Sequence, residues 1–314
     1  MHYAEPYRVK MVEKIHQPSP EQRHLALEGA GWNVHRLARK SVYLDLGSAA
    51  SPAAVSDRQW AALAMGDEAY AGSESFYALE AAVREQLGLD WVVPTHSGRG
   101  AENLLLRILM RPGQVVLTNK SLATLRPLAT DQGGTVLDLC GQSAGLFGGD
   151  FDLAGLERAL ATEEVAAVVA TASVPLLGGS VLSLSNLEQV AQRCRSRAVP
   201  LVLDATRLGS ACYYLREMEE LSESLERLMR SYTSLADLVY LSGREDAFCQ
   251  TGGLIAGRQV DHLEPLRSLV VVFEGLHTYG GQAGRDLQAM ARDERPGLPP
   301  LPAPQARLLG AGAA

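Results

Sequence analysis

From about residue 73, the sequence alternates between segments with apolar residues at helical spacing and short, apolar, β-prone runs. This alternation is typical of an α/β domain with a mostly parallel sheet, because parallel strands need crossover connections that are usually helices. The run at residues 165–170 is apolar throughout, as expected for a strand covered on both faces. The predicted strands are residues 114–117, 135–139, 165–170, 200–203, 238–241 and 253–256, and the predicted helices are residues 73–86, 100–109, 151–161, 184–197 and 215–232.

Polar residues at the starts of two predicted helices are candidate N-caps, whose side-chain oxygens accept hydrogen bonds from first-turn amides. Asp150 or Asp152 would cap the third predicted helix, and Ser185 or Asn186 would cap the fourth. Each cap predicts where its helix begins.

Two regions fall outside the alternating pattern and divide the chain into three parts. Residues 1–70 are predicted to form an N-terminal arm and interface segment, with helical pieces between small-residue loops. Residues 71–292 contain the predicted α/β domain. Residues 293–314 are rich in Pro, Gly and Ala, so they are predicted to be a mobile tail that adds nothing to the core.

Charge and cysteine spacing argue against several classes of protein. The formal net charge of −7 argues against nucleic-acid binding, which requires a basic face. The four cysteines include no C-x-x-C pair, so a reducing, cytoplasmic location is expected. The start of the chain has no apolar signal region, and no apolar run approaches the roughly 20 residues that span a bilayer. Neither secretion nor membrane insertion is therefore expected.

The segment after residues 91–94 has the composition of an anion-binding loop. Ser97, Gly98 and Arg99 place small residues and an arginine at a helix start, where free N–H groups and the helix dipole favour negative charge. Phosphate is the obvious candidate ligand. The alternative is an ordinary glycine-rich turn with a surface arginine. His96, which precedes this loop, has no neighbour at metal-ligand spacing.

Further polar residues follow other predicted strands and should therefore lie at the same edge of the sheet, where ligands bind in such folds. Asp204 ends an apolar strand, and an unpaired buried carboxylate is very costly. Its partner could be Arg207, a backbone cap, or a ligand cation such as a protonated pyridine nitrogen. Ser242 could hold a phosphate oxygen, although the Arg-Glu-Asp triplet at 244–246 is also typical of a solvated turn.

Several longer motifs match one pattern from end to end of the chain. The motifs, in chain order, are MGDEAYAGS at 65–73, THSGRGAEN at 95–103, DATR at 204–207, LVVVFEG at 269–275 and TYGGQAGRD at 278–286. On these motifs the chain resembles the β-eliminating lyase family, which includes tyrosine phenol-lyase and tryptophanase. The resemblance covers about residues 3–292. It implies the fold-type-I large domain of enzymes that use pyridoxal phosphate (PLP), similar to that of aspartate aminotransferase.

The resemblance also implies roles for residues of the candidate loops. Gly98 and Arg99 match a loop that binds the PLP phosphate, in which Ser97 replaces the family's glutamine. Ser242 matches a second phosphate ligand. Asp204 matches the carboxylate that pairs with the pyridinium nitrogen and makes the ring an electron sink. Arg207 lies beside that carboxylate in the sequence.

The resemblance also places two residues of the predicted N-terminal arm in the family's active site. Tyr70 matches a tyrosine that acts as an acid/base group, and Glu68 matches a ligand of the family's monovalent cation, potassium. In the family these sites are built between subunits of a tetramer. The resemblance therefore implies an oligomer.

The clearest departure from the family pattern is Glu245. The family motif Ser-Gly/Ala-Lys-Lys-Asp supplies the Schiff-base lysine at its second lysine, whereas residues 242–246 read SGRED. A carboxylate cannot form an imine. Of only four lysines, Lys120 alone lies in a segment that could approach the cofactor. Leu122 and Pro175 replace the family's ring-stacking aromatic and an asparagine.

A second departure concerns the length. The resemblance implies that the family's smaller C-terminal domain, with its substrate-carboxylate arginine, is absent from the 314 residues. Without the lysine, the stacking ring and this arginine, an ordinary lyase activity is not expected.

Three readings follow from these departures. In the first, the protein is a degenerate subunit that completes an interfacial lyase site with a lysine-bearing relative. In the second, it is a repurposed enzyme of C–C or C–N bond chemistry that holds PLP, pyridoxamine phosphate or a PLP–amino-acid adduct without a covalent bond, with Glu245 as general base. In the third, the scaffold has lost PLP and has an unrelated binding or catalytic role.

Overall fold

The computed structural model of the chain describes residues 14–44, 55–69, 71–120, 123–141 and 146–292. The chain separates into two compact units, residues 1–49 and 50–314. The predicted tail lies outside the described residues, and the predicted division at residue 70 stays a prediction.

The first unit contains helix α1 (Pro20–Gly29), which begins at a reciprocal cap. The Ser19 hydroxyl accepts a hydrogen bond from the Gln22 amide at 3.3 Å, and the Gln22 side chain accepts one from the Ser19 amide at 2.9 Å. This capping box satisfies two amides that a helix start otherwise leaves unpaired.

The second unit is an α/β domain with strands and helices in alternation. Its strands are β1 (Trp91–Thr95), β2 (Val115–Thr118), β3 (Thr135–Asp138), β4 (Val165–Thr171), β5 (Ser173–Val174), β6 (Ser180–Val181), β7 (Leu201–Asp204), β8 (Leu238–Ser242) and β9 (Gly253–Gly257). Its helices are α2 (Asp57–Met65), α3 (Glu74–Leu87), α4 (Gly98–Leu109), α5 (Leu125–Asp131), α6 (Leu153–Thr162), α7 (Leu184–Ser196), α8 (Leu208–Met218), α9 (Leu225–Leu235), α10 (Leu263–Phe273) and α11 (Gly284–Ala291).

The main sheet has the strand order β1-β9-β8-β7-β4-β2-β3. The pairs β2–β3, β2–β4, β4–β7 and β7–β8 are parallel. Strand β9 is antiparallel to both of its neighbours, β1 and β8. The predicted α/β fold with a mostly parallel sheet is confirmed.

Both faces of this sheet are packed against apolar side chains, and neighbouring residues of one strand face opposite layers. Val168 and Leu203 belong to one buried cluster, whereas Val169 and Val202 belong to the other. All four side chains are 4% exposed or less. The continuous apolar runs in the sequence therefore result from coverage on both faces.

The single long helix predicted over residues 215–232 is wrong. The chain forms α8 and α9 there, separated by a break in which Glu220 has a φ of +50°. Ser224 then caps α9, since its hydroxyl accepts a hydrogen bond from the Arg227 amide at 3.2 Å. The apolar spacing continued across the break and concealed the serine cap that restarts the helix.

The two proposed caps for α7 are also wrong, whereas one of those for α6 is confirmed. Ser183 caps α7, because its hydroxyl accepts from the Asn186 amide at 3.2 Å. Asn186 is instead buried, and its side chain bonds the amide and carbonyl of Phe151. Asp152 caps α6 through the Ala154 amide at 3.1 Å. Within the described residues, no helix is long and apolar enough to cross a membrane.

The carboxyl ends of β1, β7 and β8 meet at one edge of the sheet, which we call the rim. The reversed strand β9 begins at the same edge, with Gly253 beside the loop that follows β1. A Cβ at Gly253 would lie 2.5 Å from the carbonyl carbon of Ser97, and one at Gly98 would lie 2.9 Å from the Ser242 Cβ. Glycines thus let these loops pack closely against each other.

Leu203→Ala should lower the free energy of unfolding by about 2–5 kcal/mol, because it opens a cavity in a fully buried strand. Urea denaturation followed by circular dichroism would measure the change. The matched control is Leu176→Ala, at a position that is 61% exposed and should change stability little. Equal effects at the two positions would contradict the packing described for β7.

Candidate functional site

The rim brings together the loops that carry the predicted cofactor-binding residues. Gly98 packs directly against Ser242, and the Ser242 amide donates a hydrogen bond to the Thr206 hydroxyl at 3.2 Å. Asp204 ends the strand beside β8. Three segments distant in the sequence therefore form one continuous surface at the carboxyl edge of the sheet.

The first part of this surface is the amino end of α4. Ser97 is its N-cap, and the Ser97 hydroxyl accepts from the Gly100 amide at 3.1 Å. The amides of Gly98 and Arg99 occupy the first turn, where helix geometry leaves them without an intrahelical acceptor. Arg99 is exposed beside them. This arrangement has the donors and the positive charge that an anion such as phosphate requires.

The second part is the carboxylate of Asp204, which is only 2% exposed. The Thr206 amide donates to it at 3.0 Å. Burial raises the pKa of Asp204, whereas hydrogen bonds from Thr206 and Tyr240 and the charge of Arg207 act in the opposite direction. The neighbours thus compensate only part of the desolvation cost, and a cation brought to this carboxylate would lower its pKa.

Sequence reasoning missed two residues of the site, Glu102 and Tyr240. The Tyr240 hydroxyl donates to Glu102 at 3.3 Å, and it also interacts with Asp204. Both residues are 4% exposed. Burial raises the pKa of Glu102 to about 7, and the charge of Asp204 also raises it. One phenol therefore links two buried carboxyl groups.

A sequence signal for Glu102 was available. The residue is followed at i+3 and i+4 by Leu105 and Leu106, both buried, so it lies on the apolar face of α4. A lone acid on such a face needs a buried partner. Tyr240 lies in an apolar strand and gave no comparable signal.

The third part of the site is an ion pair between Arg207 and Glu245. Their side chains meet at 2.9 Å and are 43% and 22% exposed. The neighbouring Asp246 carboxylate accepts from the Gly209 amide at 2.6 Å and from the Ser210 hydroxyl at 2.6 Å. The Arg-Glu-Asp triplet is therefore more than a solvated turn, since both of its acids bind the start of α8.

Lys120 pairs with an acid at the end of the outermost strand. Its ammonium lies 3.3 Å from Asp138 at the end of β3, and β3 is the outer strand beyond β2. Asp138 also pairs with Arg126 at 2.8 Å. Strands β4 and β2 separate β3 from β7, the strand that ends in Asp204.

The segment that was predicted to bind potassium is held against α11. Glu68 is exposed, and its carboxylate accepts from the Gly284 amide at 3.4 Å. Asp67 accepts from the Ser73 hydroxyl at 2.5 Å and from the Glu74 amide at 2.8 Å. In the described ranges, no three His, Cys, Asp or Glu side chains converge, so Glu68 would need other oxygen ligands.

Two positions of the predicted site are not placed. Tyr70 and Leu122 lie outside the described residues. Pro175 begins a short 3₁₀ turn after β5.

The titration of Glu102 can be tested by the pH dependence of stability. Relative to Glu102→Gln, the free energy of unfolding of the unmodified protein should fall by about 3 kcal/mol between pH 4.5 and 7. The unfolded chain releases the Glu102 proton near its ordinary pKa, whereas the buried folded carboxyl keeps it to about 7.

Urea unfolding of both proteins at pH 5 and 7.5 would measure the difference. Glu163→Gln is the matched control, because Glu163 is exposed and should show no such divergence. Parallel curves for the unmodified protein and Glu102→Gln would contradict a raised Glu102 pKa.

Comparison with known proteins gives a consistent result. The family model described as β-eliminating lyase matches residues 47–280. Tyrosine phenol-lyase of Nostoc punctiforme is 38% identical over 302 residues, which cover 92% of this chain and 64% of the relative. The enzyme of the same name from Intrasporangium calvum is 40% identical, with 92% and 63% covered. The chain thus spans less than two thirds of the length of these relatives.

A solved structure shows the same fold at lower identity. Apo CalE6, a methionine gamma lyase from Micromonospora echinospora, superposes with a TM-score of 0.52 and 22% identity. The match covers 70% of this chain and 52% of that one. At this identity the likeness concerns the fold alone, and it agrees with the fold-type-I architecture expected from the motifs.

Proposed function

The chain belongs to the β-eliminating lyase family, and we propose that it is a member without the Schiff-base lysine. Its role is to complete an interfacial lyase site of a lysine-bearing relative. The family is PLP-dependent, so the ligand of the rim is PLP or a PLP adduct, held without a covalent bond.

The Arg207–Glu245 ion pair supports this proposal most directly. Glu245 occupies the position of the lysine in the family motif, and its carboxylate lies 2.9 Å from the guanidinium. An ammonium in the same place would face Arg207 with like charge. The local charges are therefore arranged for an acid, and a Schiff base cannot form at this position.

Lys120 does not replace the Schiff-base lysine of the family. Lys120 is bound to Asp138 toward the outer edge of the sheet. Moving its ammonium to the Asp204 side would break that contact. No second amine of the described second unit is available, since Lys120 is the only lysine between residues 55 and 292.

The rim residues fit a PLP-type ligand. The close approach of Gly98 to Ser242 places the first-turn amides of α4 beside a serine hydroxyl, a donor set suited to a phosphate. Asp204 is a buried carboxylate with a raised pKa, which a cationic ring nitrogen would lower. When bound, PLP supplies an electron sink for carbanion chemistry.

The residues of this chain would orient the ligand and hold its charges. The amides of Gly98 and Arg99 bind the anionic end, while Asp204 binds the cationic end. Tyr240 also interacts with the Asp204 carboxylate. Burial raises the pKa of Glu102 to about 7, which favours its protonated form and limits repulsion between the two acids.

The contribution to a partner's site would come from the segment around Glu68 and Tyr70. Among the described residues, Gly66 and Asp67 pack closely against the start of α11. A Cβ at Gly66 would lie 2.3 Å from the Arg285 Cα, and one at Gly284 would lie 1.5 Å from the Asp67 carbonyl oxygen. In the proposal, Tyr70 acts as the acid/base group and Glu68 contributes to a potassium site at the interface.

A second candidate function is independent catalysis on a PLP adduct, with Glu245 as general base. The buried Asp204 carboxylate favours the two readings in which PLP is bound over the reading in which the scaffold has lost PLP. However, Glu245 would first have to leave Arg207 before it could accept a proton. The ion pair therefore favours the partner role over catalysis by this chain alone.

Added PLP should bind to the purified protein without a borohydride-reducible linkage. Glu245→Lys should gain such a linkage, with a new visible absorbance band, because the amine condenses with the aldehyde and releases water. Glu245→Gln is the control, since it removes the charge but provides no amine. A reduced adduct on Lys120 in the unmodified protein would contradict non-covalent binding.

Co-expression with full-length tyrosine phenol-lyase of Nostoc punctiforme should give mixed oligomers in native mass spectrometry. Gly284→Ala should reduce their fraction several-fold, since the added Cβ displaces the segment at Asp67. Gly29→Ala is the control, because no atom lies within 4 Å of a Cβ there. Exclusive homo-oligomers with independent turnover would favour the second candidate function.

A further inference from the structure

A cluster of three side chains beside the rim is not explained by the proposed function. The Ser97 hydroxyl lies 3.0 Å from Nε2 of His96. The other ring nitrogen of His96, Nδ1, contacts the Glu274 carboxylate. A hydroxyl, an imidazole and a carboxylate are therefore connected in sequence, with each ring nitrogen facing one oxygen.

The carboxylate of this cluster is buried and held in place. The Glu274 side chain is 3% exposed, and it also accepts from the His96 amide at 2.9 Å. Gly100 makes room for it, since a Cβ at Gly100 would lie 2.6 Å from Oε1 of Glu274. The charge thus lies against the first turn of α4, where the helix dipole stabilises it.

The backbone that carries the imidazole is fixed from two sides. The His96 carbonyl accepts from the Gly252 amide at 3.1 Å and from the Thr251 hydroxyl at 3.2 Å. The Thr95 hydroxyl donates to the Ser97 carbonyl at 2.8 Å. The serine and the histidine are therefore held by contacts independent of their side-chain hydrogen bond.

We propose that Ser97, His96 and Glu274 form an acyl-transfer site for small activated carboxylic esters. Such an arrangement is the geometric signature of an activated nucleophile, in which a base within hydrogen-bond reach is oriented by a third group. His96 is 59% exposed at its side chain, and Ser97 is partly exposed, so a small ester can reach both residues.

The step balances without any further reagent than water. The Ser97 oxygen forms a bond to the ester carbonyl carbon, and its proton passes to Nε2 of His96. The C–O bond to the leaving alcohol then breaks, and the alcohol takes that proton. Water repeats the sequence on the acylated serine, which releases the carboxylic acid and restores the hydroxyl.

The amino end of α4 can stabilise the negative oxygen formed in this step. The amides of Gly98 and Arg99 follow Ser97 directly and belong to the first helical turn, where such donors have no intrahelical acceptor. Amides at this position are suited to an oxyanion. They are also the amides assigned to a phosphate in the proposed function, so ester and phosphate should compete.

The test uses the full chain with p-nitrophenyl acetate and a fluorophosphonate probe. The unmodified protein should release nitrophenol with an initial burst, and mass spectrometry should locate the probe on Ser97. Ser97→Ala should lower the burst rate about 10²-fold or more. Ser234→Ala is the matched control, at an exposed serine of α9 that should leave the rate unchanged.

Two further variants separate chemistry from folding. His96→Asn removes the base but keeps the Ser97 cap of α4, so probe labelling should be lost while circular dichroism still shows the native helix and strand content. Glu274→Gln tests a positioning residue, and it should lower the acylation rate about tenfold without weakening the apparent affinity for the ester. Labelling of another residue, or full turnover in Ser97→Ala through the imidazole alone, would overturn the proposal.

Inorganic phosphate distinguishes this inference from the cofactor proposal. Protection of Ser97 from the probe by phosphate would support both the acyl-transfer site and an anion site at the α4 start. Labelling that phosphate does not reduce would still support the acyl-transfer site, but it would count against phosphate binding there. Absence of labelling with and without phosphate would overturn the acyl-transfer site alone.

Discussion

The burial of Asp204 at the end of a central strand is the constraint around which the rim is organised. A carboxylate that is 2% exposed is stable only with hydrogen-bond donors around it. The Thr206 amide supplies one, and Tyr240 supplies a second interaction that extends to Glu102. Because Glu102 has a pKa of about 7, the charge of this network depends on pH near neutrality. The rim therefore contains a buried acidic network whose charge is balanced only in part by its neighbours.

The Arg207–Glu245 ion pair connects the loop after β7 to the loop after β8, since the two side chains meet at 2.9 Å. The adjacent Asp246 binds the start of α8 through its amides and the Ser210 hydroxyl. Through Glu245 and Asp246, the turn after β8 therefore contacts the β7–α8 connection, and these contacts hold the two loops together.

The apolar runs and their spacing predicted six of the seven strands of the main sheet and helices α3, α4, α6 and α7. Coverage on both faces leaves a continuous apolar signal in each strand. These patterns failed at residues 219–224, where apolar spacing continues but Ser224 restarts a helix. Strand β1 and helices α5, α10 and α11 were not predicted from the periodicity. In the site, the loop residues were found from small residues after strands. Tyr240 could not be predicted, because it lies within an apolar strand and its carboxyl partners, Glu102 and Asp204, are distant in the sequence.

The reversal of β9 has an effect beyond strand pairing. Every other strand of the main sheet ends at the rim, whereas β9 begins there. Its first residue is Gly253. Because Gly253 has no side chain, the Ser97 carbonyl can pack directly against the backbone at the start of β9. The antiparallel direction of β9 therefore determines how closely the start of α4 can approach the loop after β8. A larger residue at Gly253 would therefore push the Ser97 loop away from β9 and separate the parts of the rim before any ligand-binding side chain had changed.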